Sequence, residues 1–104
     1  MFNTSLNNAG HGALVESYVS GSDFYRIYND GWCEQGGITT KGTTINLLKS
    51  FKTSDYIAFV CGCDTSNHYQ TVPIAVQNRV ANSFKVYTQS ASDGLISWFA
   101  CGCV

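Results

Sequence analysis

The sequence predicts an all-β domain built as a small antiparallel β-sandwich. Three observations point there. Short alternating or β-branched stretches recur every ten to fifteen residues, with turn signals between them. No stretch of helical length carries a 3.6-residue period. Asn29-Asp30-Gly31 lies between two alternating runs, the pattern of a tight hairpin.

The chain has 104 residues, the size of one domain. Residues 1–12 are rich in Asn, Ser and Gly and are expected to form a flexible lead-in or shaft connection, with the sandwich over 13–104. Ala13 to Val19 reads as an extended segment, broken by Ser20-Gly21-Ser22. In the hairpin that follows, Phe24, Arg26 and Tyr28 share one face, and Tyr25, Ile27 and Asn29 the other. Beyond the turn, Trp32, Glu34 and Gly36 alternate with Cys33, Gln35 and Gly37. Asp-Gly predicts a type I′ turn with positive φ at both central residues, and Gly36-Gly37 is expected to end the second strand.

Five more stretches complete the set. Thr43 to Leu48 is a strand on β-branched content, followed by a loop in which Phe51 is the buried anchor. Tyr56 to Cys63 is a strand that is apolar on both faces. Thr71 to Val80 alternates, with Pro73 marking an edge or a strand start. Ser83 to Thr88 and Leu95 to Cys101 close the chain, the last again two-faced, with Trp98 and Phe99 on opposite sides.

Composition limits the function. Charged residues make up 12% of the chain, about half the usual share, and the net charge is −1. Lys41, Lys49, Lys52 and Lys85 are scattered, so there is no basic stripe for nucleic acid. No apolar run reaches the ~20 residues of a membrane helix, and the first dozen residues show no export signal. A two-layer sandwich cannot cover strands that are apolar on both faces, so a homo-oligomer is expected, with Tyr56–Cys63 and Leu95–Cys101 at its interface.

Five cysteines are present, four of them in two Cys-Gly-Cys copies, Cys61/Cys63 and Cys101/Cys103. On neighbouring strands four thiols would converge. A one-residue spacer is tighter than a zinc knuckle, which has two to four. Cross-strand disulfides and free thiols acting as small hydrophobes are the other readings, with free thiols preferred. His11 and His68 have no metal-like spacing and no nucleophile motif beside them, so no catalytic residue, metal or cofactor is expected.

The run FYRIYNDGWCEQGG resembles a segment found in the C-terminal tip domain of many phage and prophage tail-fibre proteins, Tyr-Arg-hydrophobic-Tyr-x-Asp-Gly-Trp-x-Glu-Gln-Gly-Gly. INLLKSFKTSDYIAFV and SFKVYTQSASDGLISWFACG are similar to later parts of the same domains, so the resemblance spans Tyr18 to Gly102. It implies an H-type-lectin-like sandwich, a homotrimer, and a place at the distal end of a virion fibre made in the host cytoplasm. It implies attachment to a host-surface glycan or lipopolysaccharide. The two Cys-Gly-Cys copies depart from the family pattern. The chain also lacks the His-x-His pairs that hold iron in some fibre tips. A ligand-free trimerising cap and a polysaccharide hydrolase are the alternatives.

The expected contact residues lie in the polar loop Asp64 to Gln70. That loop is longer than a chain reversal needs, and surplus polar loop on a rigid sandwich commonly carries binding residues. Asn67, His68 and Tyr69 are the candidates, with Asp64 accepting a hydroxyl and Arg79 and Tyr87 brought close by a neighbouring subunit. Gln89 to Gly94 is the second candidate loop.

Overall fold

The computed structural model describes residues 10–40, 44–63, 74–88 and 95–104. Eight strands form two antiparallel sheets: β1 (Leu14–Ser20), β2 (Asp23–Tyr28), β3 (Trp32–Thr40), β4 (Thr44–Asn46), β5 (Ile57–Cys63), β6 (Ile74–Val80), β7 (Ser83–Thr88) and β8 (Leu95–Cys103). One sheet has the order β1-β2-β3-β8-β5, the other β4-β7-β6. The strand alternation read from the sequence therefore holds. Ser83–Thr88 has the expected bounds, and the closing strand runs two residues further, to Cys103.

The core fills the space between the sheets, with Cys33, Ile96, Trp98 and Ala100 from the larger and Ile45, Phe84 and Val86 from the smaller. Phe51 is the buried loop anchor that the sequence suggested. Its ring stacks on Tyr56 with centroids 4.5 Å apart. Gly102 makes that possible, because a Cβ there would stand 2.9 Å from Tyr56 Cβ and 3.2 Å from the Phe51 ring. The Tyr56 hydroxyl lies 2.8 Å from the Val80 carbonyl and 2.9 Å from that of Ser83, pinning the β6–β7 turn to the larger sheet.

Two local expectations are corrected. The second hairpin strand does not end at Gly36-Gly37; β3 continues to Thr40, paired with β8 throughout. The glycines are there for space. Phe24 lies over Gly36, and the Asp23 carboxylate lies over Gly37. The turn is also not type I′. Among the described residues only Asn78 is a non-glycine at positive φ, so Asp30 is not left-handed, while Gly31 is, at φ 89°. Gly31 N–H donates to the Tyr28 carbonyl at 2.9 Å. Three residues, Asn29 to Gly31, make the reversal, as in a turn closed by a left-handed glycine.

Candidate functional site

The two ends of the sandwich differ. Asn29 N–H donates to the Ala13 carbonyl, and Val104 N–H to the Gly31 carbonyl, so the described start of the chain, its C-terminus and the hairpin turn share one end. His11 is held there. It stacks on Trp32 with centroids 4.6 Å apart and planes 4° from parallel, and its Nδ1 is 2.8 Å from Asp30 Oδ2. The Trp32 backbone N–H, and then His11, hold the Asp30 carboxyl below the usual carboxylate range. This anchoring of His11 was not legible, because nothing in a lone histidine before a turn announces a partner nineteen residues on.

The opposite end carries the Ser20–Asp23 turn and, further along the strands, Thr40, Leu95 and Cys63, which the register brings level with one another. Between the sheets at this end lies a cleft of about 250 Å³. Asp23, Thr39, Thr44, Asn46 and Trp98 line it, over apolar Ile45.

A third region is the outer face of the larger sheet. Val19 pairs with Phe24, Phe24 with Gly36, Gly36 with Phe99, and Phe99 with Phe59. One row of apolar residues thus crosses all five strands. The Phe24 and Phe99 rings approach to 6.4 Å between centroids across Gly36, while Phe59 is 63% and Val19 73% exposed. Ile57 and Ile38 extend this face and are exposed as well. Arg26 stands opposite Glu34 on the same side. The two-faced character of the closing strands is therefore real, with Trp98 and Phe99 dividing between inside and outside. β1 does not shield the outer face; it lies in the same sheet, at its edge.

The residues expected to bind fare unequally. Asp64, Asn67, His68 and Tyr69, with the loop Gln89 to Gly94, lie outside the described residues. Arg79 is engaged: its guanidinium donates to the Tyr56 carbonyl and sits 5.9 Å from the Tyr56 ring. Tyr87 is exposed on β7, opposite Ala75 and four residues along β6 from Arg79, so the two do not meet within one chain. Gln35, part of the hairpin motif, is fully buried. It accepts from the Leu48 and Lys49 N–H groups and donates to the Lys49 carbonyl, tying the sheet to the segment after β4.

The two Cys-Gly-Cys copies lie on neighbouring strands, but the register keeps them apart. Cys61 is opposite Ser97, and Cys101 is opposite Ile57. Four residues along a strand separate them, roughly 13 Å, too far for a disulfide. Cys33, Cys61, Cys101 and Cys103 are free thiols. No cluster of three or more His, Cys, Asp or Glu side chains able to hold a metal occurs among the described residues.

Neither a protein-family model nor a curated protein sequence matches the chain. Solved structures do. The C-terminal part of an R2 pyocin fibre of P. aeruginosa superposes with a TM-score of 0.62 at 18% identity, over 93% of this chain and 32% of that one. An N-truncated R2-type pyocin tail fibre gives 0.61 at 19% identity, over 93% and 46%. The chain shares its fold with these fibre segments. It spans a third to a half of those fibre chains. The likeness that the hairpin residues bear to tail-fibre domains is thus matched by the fold. In this chain, the Asp-Gly-Trp stretch lies at the end where residues 10–13 are, and the Gly pair lies in the strand beneath Phe24 and Asp23.

Proposed function

We propose that this chain is the distal receptor-binding domain of a phage tail fibre, a non-enzymatic, lectin-like homotrimer that attaches the virion to a bacterial surface glycan. The observation that carries the reading is the arrangement of the sandwich. An apolar row crosses its outer face, where further copies can pack, and the cleft lies at the end remote from His11. A fibre domain needs both: a seam to join its copies and a free end to meet the host. The likeness to R2 pyocin tail fibres supports the same role.

In this reading the lead-in faces the virion. Cys63 and Ile74, which flank the segment holding Asp64, Asn67, His68 and Tyr69, are both near the remote end, where Cys63 is level with Thr40 and Ile74 with Thr88. Weak contacts repeated three times give avidity without strong single sites. The test is adhesion. The fluorescently labelled chain is mixed with a panel of intact bacteria. Binding to some strains, competed by polysaccharide extracted from those strains, is expected; loss of binding in a folded His68→Ala, Tyr69→Ala double variant assigns the loop. A chain that adheres to none is a structural cap. Release of new reducing ends from the polysaccharide makes it a hydrolase.

A further inference from the structure

The cleft between the sheets has a built interior. Asp23 opens β2, and its position in the hairpin register sets it beside Gly37 of β3, which in turn pairs with Trp98 of β8. At Gly37 the lack of a side chain is what seats the carboxylate: a Cβ there would overlap Asp23 Oδ1 and stand 3.2 Å from Trp98 Nε1. Gly37 has no positive φ that would otherwise demand glycine. An acid, an indole N–H and a missing methyl are therefore gathered at one level of three adjacent strands. Thr39 continues the same wall, and Thr44 and Asn46 come across from β4 in the other sheet.

We propose that this cleft binds one neutral hexopyranose ring of the surface glycan; the inference rests on the receptor-binding reading above. The volume, about 250 Å³, lies just below the roughly 300 Å³ at which pockets for drug-sized ligands begin, so it admits a single ring. The chemistry fits hydroxyls. A carboxylate accepts from two vicinal hydroxyls, an amide both donates and accepts, threonine hydroxyls do either, and the indole N–H donates. Ile45 offers the apolar surface that a ring's C–H face needs. The described lining carries no Lys or Arg, and Asp23 repels anions, so acidic sugars and phosphates are the wrong class.

The test uses an array of bacterial surface polysaccharides with the full chain and the variants Asp23→Ala, Asp23→Asn and Gly37→Ala. The last moves the carboxylate without removing it. Asp23→Ala and Gly37→Ala are expected to weaken binding about tenfold or more, the worth of a hydrogen bond to a charged group, and Asp23→Asn less. Circular dichroism checks that each variant is folded. Should a variant fail to fold, the wild-type chain answers alone. Titration with the methyl glycosides of glucose, galactose, mannose and N-acetylglucosamine is expected to shift the Trp98 indole N–H and Asn46 amide resonances. Wild-type binding with folded variants equally tight, or shifts confined to residues outside the cleft, overturns the cleft and leaves receptor binding standing. Wild-type binding to no polysaccharide overturns the receptor reading itself.

Discussion

Cys33 is buried where β3 meets the core, and burial pushes its thiol up to about 11. A thiol that stays protonated is a poor nucleophile. Alkylation at neutral pH followed by mass spectrometry should therefore label exposed Cys103 readily and leave Cys33 unmodified until the chain is denatured. Half-buried Cys101, also raised by burial, should react more slowly than Cys103. The carboxylates give a second residue-level outcome. The Tyr25 hydroxyl donates to Glu16 at 2.5 Å and Lys49 Nζ lies 2.9 Å away, and together they lower its carboxyl. Asp30 is lowered by Trp32 N–H and His11. A carboxyl depressed in the folded chain contributes stability that is complete above its unfolded value, near pH 4, and is lost as pH falls through the folded value. Thermal midpoints should be level above pH 5 to 6 and fall below pH 4, and Glu16→Gln and Asp30→Asn should each flatten part of that fall.

Gln35 shows how one element is fastened to another. Its buried amide satisfies two backbone N–H groups and one carbonyl of the half-buried segment after β4. Replacing it by Ala leaves those half-buried groups without their partner, at a cost of about 1–3 kcal/mol. Urea denaturation should read that loss as an earlier midpoint with an unchanged slope. Much at this scale was legible. Alternation gave the strands, because side chains on a pleat must take turns between core and solvent. The role of Gln35 was not, since its partners are backbone groups thirteen and fourteen residues away. Register was not legible either. Nothing local says that β5 slides so that Cys61 meets Ser97 rather than a cysteine. Gly36-Gly37 misled because a glycine pair normally ends a strand. Here the pair makes room for the Phe24 ring and the Asp23 carboxylate from the neighbouring strand, a cross-strand need that sequence order hides. The cleft at Asp23 escaped for the same reason.

At the scale of the whole molecule, the row Val19–Phe24–Phe99–Phe59 is apolar, broad and uncovered among the described residues, and the low charge count leaves little to keep copies apart. Trp98 and Phe59 separate folding from assembly. Trp98 is in the core, so Trp98→Glu should unfold the chain. Phe59 points outward, so Phe59→Glu should leave circular dichroism unchanged while disrupting assembly. Sedimentation equilibrium of the wild-type chain at micromolar concentration tests the account most directly. It predicts a mass of three chains, reduced to one by Phe59→Glu. A wild-type mass of one chain across that range would contradict it.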